Sequence, residues 1–452
     1  MPPEPLFNPR TAEIAELRAL SSGDLIQQLF QLEPDELAAL FLRLGDEGVA
    51  ELVTEFDATD AARLIGRLSR AHAANVLEEM DPDDAADVVG ELEDDEAESV
   101  LREMEPEEAR DVRDLLQYGP ATAGGVMTTE YLAVSPDLTA DEALAVVRAK
   151  AREAETVYYF YVTEPGTRKL LGVLSLRSLI LSAPDARVRD LMVTNPVRIR
   201  ADADQEEAAQ LLDRNNLLAI PVVDRDDRIL GILTADDAQD VLQEEASEDI
   251  ERLGGSQPLD APYMRASLAT MIKKRAGWLT ALFLGEMLTA TALGYFQDEL
   301  GKAVVLALFL PLIISSGGNS GSQATTLVIR AMALGEVRLR DWGRVILREA
   351  PTGLVLGLLL ATIGMIRISA WQFLGITDYG QFHWLVALTV SLSLVCVVLY
   401  GTVVGAMLPF LIRRLGFDPA SASAPFIATM VDVSGLVIYF TIGKVVLAGT
   451  LL

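Results

Sequence analysis

The sequence of 452 residues holds one cysteine, Cys396, and two histidines, His72 and His383. A lone thiol inside an apolar run excludes a disulfide framework and a thiolate metal site, and two distant histidines do not make a zinc set. Basic residues are also scarce, with 37 Lys and Arg against 66 Asp and Glu and a formal net charge of -29. Such a surface repels nucleic acid and anionic lipid and attracts cations. No GxxxxGK[ST] segment is present, which argues against ATP-driven pumping, and no nucleophile stands beside a base as in an enzyme. The opening residues MPPEPLFNPR lack the basic and apolar regions of a secretory signal, so the front half is expected to stay in the cytoplasm.

What is present is divided unevenly along the chain. A mean hydropathy of +0.28 coexists with the acid excess only because the acids crowd into residues 1 to about 260 and the apolar residues into the remainder. A soluble acidic region is therefore followed by a membrane region.

The first 120 residues or so repeat. The runs LEPDELAALFLRL, FDATDAARLIGRL, MDPDDAADVVGEL and MEPEEARDVRDLL begin 24 residues apart, at Leu32, Phe56, Met80 and Met104. Each unit carries two short helical patterns, and stacked helix pairs build an α-solenoid. Asp83 and Asp87, four residues apart, share a helix face where like charges repel unless a cation arrives. A merely solvated face remains the alternative at this stage.

From Thr129 to Leu242 the period changes. The β-rich runs TVYYFYVT, LLGVLS, AIPVVD and ILGILT alternate with helical stretches, which predicts an α/β arrangement of one unit used twice. Both halves resemble CBS domains. That family's ribose-contacting pattern is intact as Gly231, Thr234 and Asp237, while the first copy reads Gly172, Ser175 and Ser178 and lacks the acid. The resemblance implies a nucleotide-sensing module, with ATP as a candidate regulator and Ser175 and Thr234 as its contacts. The missing acid weakens that claim for the first copy.

A charged helix, EEASEDIERL, then a break at GGSQPLDAP and a second helix, YMRASLATMIKKRAG, lead into the membrane region. Five hydrophobic segments follow, near Gly277 to Phe296, Ala303 to Ser316 with a polar extension, Ala350 to Ile366, Trp384 to Leu411 and Pro425 to Leu447. Each approaches the roughly 20 residues that cross a bilayer. Lys273, Lys274, Arg275, Arg330, Arg338, Arg340, Arg344, Arg348, Arg413 and Arg414 fall on one side, and Lys302, Arg367 and Lys444 on the other. The positive-inside rule then predicts a cytoplasmic N-terminus and an outer C-terminus.

Two features of this region point to an ion path. Asp432 is a carboxylate inside the last segment, where a charge costs roughly 2.5–3.5 kcal/mol unless it meets water or a partner. A helix-to-helix hydrogen bond is the competing reading. The segment PLIISSGGNSGSQATTLVIRAMA puts Gly317, Gly318, Asn319 and Gln323 at membrane depth, where irregular backbone lining a cavity is expected. Glu286 and Glu349 rank below Asp432, and the pairs Gly353 with Gly357 and Gly401 with Gly405 predict close helix packing.

That segment, together with GAMLPFLIRRLGFDPASASAPFIATMVDVSGLVIYF, resembles the signature regions of the MgtE family of magnesium channels. The resemblance implies a homodimer in a cell (inner) membrane with a pore on the two-fold axis, lined by the second and fifth helices. It carries metal roles onto Asp432, the backbone of Ala428, and Asp418. It also implies Mg²⁺ sites that close the pore when internal magnesium is ample, on Glu51, Asp83 and Asp87, on Glu206, Asp237 and Asp240, and on Glu245, Glu248 and Asp249. Asn216 stands where the family has an acid, and Asp213, one turn earlier, is the substitute. The expected fold is multidomain: an all-α solenoid-like N domain over 1–128, α/β tandem CBS domains over 129–242, a linking helix over 243–275, and an all-α domain of five transmembrane helices over 276–452. A Mg²⁺-gated Mg²⁺ channel is the leading function. A carrier of Co²⁺ or Mn²⁺ and a membrane-anchored nucleotide sensor without transport stay open beside it.

Overall fold

The computed structural model describes residues 7–9, 11–152, 154–259 and 263–451, in two compact units, Met1–Glu245 and Ala246–Leu452. The opening residues MPPEPL and the last three residues of GGSQPLDAP lie outside the described residues.

The repeats fold as the spacing predicts, into helices Ala58–Ile65, Arg70–Glu78, Pro82–Gly90, Asp94–Glu103 and Glu108–Leu115. Their starts are locally encoded. Asp57 caps the first through the amide of Asp60, Ser69 caps the second through His72, and Pro82 occupies the first turn of the third. Helix Pro34–Val53 is two such helices run together across Gly45, whose φ of +77° only glycine adopts readily. Alternate helices pack on one another, 58–65 on 82–90 and 82–90 on 108–115, so each buries an edge such as Leu64, Leu77 and Val89. This core runs on without interruption into the second CBS copy through Ile199, Ala208, Val222 and Leu233.

Each CBS copy is built around a small sheet. In the first, strand Ala133–Val134 runs parallel to Tyr159–Thr163, which pairs antiparallel with Leu170–Ser175, itself paired with Val193–Thr194. In the second, Ile199–Arg200, Ala219–Val223 and Ile229–Thr234 repeat the scheme. The three two-residue strands are too short for any sequence period to reveal. The hairpin tips exchange amides, Leu170 to the Asp227 carbonyl at 2.9 Å and Ile229 to Arg168 at 3.0 Å, which joins the copies. A Cβ on Gly172 would lie 2.7 Å from the Val193 carbonyl, and one on Gly231 only 2.4 Å from that of Thr128. The glycine of the nucleotide pattern is thus demanded by strand packing.

Helix Ala235–Leu253 leaves the second sheet and passes through residue 243 unbroken. Among the described residues of the second unit, five helices are long and apolar enough to cross a membrane: Leu268–Tyr295, Val304–Ala333, Leu339–Phe373, His383–Arg414 and Ala424–Val446. The stretch read as a separate helix before the first span is continuous with it from Leu268 onward.

The second span corrects a sequence expectation. Its glycine-rich centre is regular α-helix from Leu310 to Ala333 and not irregular backbone. Hydroxyls inside it bond back along the helix, Ser316 to the Leu312 carbonyl at 2.6 Å and Thr326 to Ser322 at 3.0 Å, so no polar group needs an irregular turn. Its glycines serve contact: a Cβ on Gly401 would sit 2.3 Å from the Gly317 carbonyl, and one on Gly405 2.2 Å from that of Gly321. The second and fourth spans therefore meet backbone to backbone, sealed by the Ser320–Thr402 hydroxyl bond at 2.7 Å and by Thr325 to the Gly405 carbonyl at 2.8 Å. Gly353 and Gly357 bring the third span equally close to Thr402 and Val395 of the fourth. The first span buries no residue and packs on the fifth.

Candidate functional site

Asp432 is half-buried on the fifth span, and its carboxyl lies within hydrogen-bond reach of Glu286 from the first. The approach is set by Gly285, where an added Cβ would be 3.0 Å from the Thr429 methyl. Two ionised carboxyls this close repel, and a cation between them would relieve that repulsion. Glu286 was visible in sequence but ranked lower, because no local pattern places a first-span residue against the fifth.

On the second span Asn319 and Gln323 are both exposed, with the Asn319 amide 3.4 Å from the Ser315 hydroxyl. Gly318 lies against Ala428, 3.5 Å from its Cα were a Cβ added. Gly317 is a different case: it is buried between Val397 and Val431, so its position is one of packing and not of lining a path.

The other concentration of acids lies in the first unit. Helix Pro82–Gly90 faces the start of helix Ala235–Leu253, and Asp83, Asp84 and Asp87 meet Asp237 there. Asp83 is 9% exposed, and its Oδ1 has no hydrogen-bond partner among the described residues. Burial, then the charges of Asp237, Asp84 and Glu155, push its carboxyl well above the usual range. Burial and Asp81 raise Asp84 to about 7, and burial and Glu244 raise Asp87 to about 6, although the Asp87 side chain still reaches solvent. Glu155 rises to about 8 through burial and Asp81. Asp237 is raised by burial and held back by Thr234, whose hydroxyl bonds its carboxylate. Carboxylates crowded so that protons are retained near neutrality form a place where positive charge is wanted. Asp84, Glu155 and Asp81 were missed in sequence; the MDPDD run hints at the first and third, while Glu155 sits in a connection with no pattern.

The remaining expected ligands scatter. Glu51 pairs with Arg18 at 3.0 Å, so an ion there would have to displace a cation already in place. Glu206 accepts from the Gln210 amide at 2.7 Å, and Glu245 from Gln205 at 2.9 Å. Asp213 and Asp240 are exposed. Glu248 is paired with Arg252, and Asp249 lies one residue further along the same helix. Arg252 also takes one oxygen of Asp418, whose other oxygen accepts the Ala420 amide at 2.8 Å. Asp418 is thereby a capping and pairing residue here. Among the described residues no three His, Cys, Asp or Glu side chains close around one point.

The nucleotide pattern fares unequally. In the first copy the Ser175 and Ser178 hydroxyls bond each other at 2.8 Å, beside a cleft of about 700 Å³ lined by Tyr158, Arg177, Ile180 and Leu218. In the second, Thr234 is buried and its partner Asp237 belongs to the acid cluster.

Comparison with known proteins follows the same divisions. Residues 310–442 match a family model described as a divalent cation transporter, MgtE; residues 20–121 match the MgtE intracellular N domain; and 123–184 and 188–244 each match the CBS domain. The chain is 42% identical over 333 residues to the magnesium transporter MgtE of Thermus thermophilus, covering 74% of this chain and 72% of that one. To the magnesium transporter MgtE of Enterococcus faecalis it is 35% identical, over 74% of this chain and 70% of that one. Among solved structures, the soluble part of a magnesium transporter is 31% identical, covering 51% of this chain and 91% of that one, with a TM-score of 0.47. The chain belongs to the MgtE family of divalent cation transporters.

Proposed function

We propose that this chain is a multi-pass membrane protein that carries Mg²⁺ passively through a path bordered by the second and fifth spans of two copies, and that Mg²⁺ bound among its N-terminal acids closes that path. The observation that carries the reading is the carboxyl pair of Asp432 and Glu286 at membrane depth, on a fifth span whose Ala428 lies against Gly318 of the second. Magnesium is the ion named for the relatives in Thermus and Enterococcus.

The chemistry suits that ion. Mg²⁺ surrenders water reluctantly and prefers an octahedral shell, so carboxylates reach it best through its waters. Two Asp432 side chains across a dimer axis would attract a hydrated divalent ion without trapping it, which conduction requires. The basic span ends then lie in the cytoplasm with the N-terminus, and the C-terminus lies outside.

Closure follows from the acid cluster. Without a cation, Asp83, Asp84, Asp87, Glu155 and Asp237 repel one another and favour separation of helix Pro82–Gly90 from helix Ala235–Leu253. Mg²⁺ neutralises them and holds the helices together. Glu245, Glu248 and Asp249 lie further along the second of these helices, which runs from Ala235 to Leu253. An adenine nucleotide in the cleft beside Ser175 and Arg177 is a second regulator of the same module.

The test is uptake into liposomes containing a Mg²⁺ indicator. Asp432→Ala should abolish uptake, and undiminished uptake would remove that residue from the path. Equal competition by Co²⁺ or Mn²⁺ would widen the substrate to divalent cations generally. In Asp83→Asn/Asp87→Asn/Asp237→Asn, flux should persist at millimolar internal Mg²⁺, and normal shut-off would refute the closing role of the cluster.

A further inference from the structure

The acid excess that repels anionic lipid elsewhere is reversed at the start of the third span. From 330 to 349 the chain carries Arg330, Arg338, Arg340, Arg344 and Arg348 against Glu336, Asp341 and Glu349. Packing fixes which way this stretch faces. Val337 and Val345 pack against a core of Ala324, Val328, Ala406 and Phe410, and the Val337 amide bonds the Ala331 carbonyl at 3.0 Å. Arg338 and Asp341 close the turn between them, the Asp341 amide on the Arg338 carbonyl at 2.8 Å and the Arg338 amide on the Asp341 carboxylate at 3.2 Å. All five arginines are left exposed.

Two of them belong to the spanning helix itself. On Trp342–Phe373 a rotation of about 100° per residue puts Arg344 and Arg348 on one face with Leu347, Val355, Leu358 and Ile366. That face is open along its length: Leu347 is 77% exposed, Val355 64% and Ile366 62%. Arg348 and Arg367 stand roughly 19 residues and 28 Å apart along the helix, close to the thickness of a bilayer's hydrocarbon core. Arg348 therefore sits at headgroup depth with Arg344 one turn beyond it, and the apolar face below them lies at the depth of acyl chains. Asp341 holds Arg344 at 2.9 Å, an exposed pair that a phosphate replaces at little cost, and Arg348 forms no ion pair among the described residues. Glu349 lies about 100° further round the helix and is partly buried. Two arginines heading an apolar stripe match a molecule with a phosphate and hydrocarbon tails. With Asp341 already engaged, a choline headgroup would meet only like charge here, and a free phosphate would leave the stripe bare. We propose that Arg344 and Arg348 bind the headgroup phosphate of an anionic phospholipid, with its acyl chains along Leu347, Val355 and Leu358.

Labelling of the full chain tests it. Phosphatidylcholine vesicles holding the protein are doped with phosphatidylglycerol or phosphatidylcholine that carries a diazirine on an acyl chain, then irradiated, and the labelled peptides are mapped by mass spectrometry. Phosphatidylglycerol should label residues 347–359 about fivefold more than phosphatidylcholine, one arginine's worth of attraction. Arg344→Gln/Arg348→Gln should erase that excess. Arg344→Lys/Arg348→Lys, which keeps the charge, should retain it, as should Arg413→Gln/Arg414→Gln, which removes equal charge at the end of the fourth span. Equal labelling by the two lipids, or none by either as under a covering protein surface, overturns the proposal. So does an excess that survives Arg344→Gln/Arg348→Gln, or one that the lysine pair or the fourth-span pair loses as well. An excess abolished by millimolar inorganic phosphate at constant ionic strength overturns it too and assigns the site to a soluble anion.

Discussion

The acid cluster makes a prediction whose sign depends on pH. Asp84 keeps its proton up to about 7 when folded, against an ordinary 3.8, chiefly because it is buried and next because Asp81 and Asp237 are near. Its folded pKa is the higher one, so the folded state binds the proton more tightly. Stability therefore falls as pH climbs from about 4 to about 7 and stays low above that. At 1.36 kcal/mol per pH unit, the full penalty at pH 8 is about 4 kcal/mol, and residual solvent access halves it to about 2. Asp84→Asn removes the charge and keeps an acceptor for Thr54. Its advantage over the parent should grow from about 1 kcal/mol at pH 5 to about 2 at pH 8, a widening of roughly 2–4 °C in the transition of a unit this size. Scanning calorimetry of the full chain in EDTA at both pH values measures it, and added Mg²⁺ should shrink the pH 8 gap by neutralising the parent. An offset that is the same at pH 5 and pH 8, or a variant melting below the parent at pH 8, would refute this account of the cluster.

Other perturbations test other parts of the molecule. Gly401→Ala puts a methyl 2.3 Å from the Gly317 carbonyl, so the second and fourth spans must part; about 1–3 kcal/mol of stability should be lost, seen as a lower melting midpoint in detergent. Gly343→Ala, with open space around it, is the control and should melt as the parent does. Arg252→Ala frees Glu248 and Asp418 together, and amides at the end of helix Ala235–Leu253 should exchange hydrogen about fivefold faster, equivalent to about 1 kcal/mol. Unchanged exchange would mean that the pairing holds nothing in place.

The sequence carried the architecture well wherever a period or a cap encodes it. The 24-residue repeat, the CBS runs LLGVLS and ILGILT, and the small residues Gly401 and Gly405 all act through neighbours a fixed distance along the chain. Legibility failed where an unrelated segment supplies the partner. Glu286 meets Asp432 across spans, Glu155 meets Asp83 from a connection, and Arg252 occupies Asp418. The glycines of the second span misled for another reason: glycine marks either a bend or a close approach, and only the facing helix decides which.

The meshed contact between the second and fourth spans has a mechanical consequence. Carbonyls of Gly317 and Gly321 lie where side chains at Gly401 and Gly405 would begin, so neither helix can slide along the other without first being pried apart. These two spans behave as one stiff plate, to which Gly353 and Gly357 rivet the third. Any pivoting that widens or narrows a passage then falls to the first span, which grips the rest of the bundle mainly along the fifth and has no buried residue of its own to anchor it.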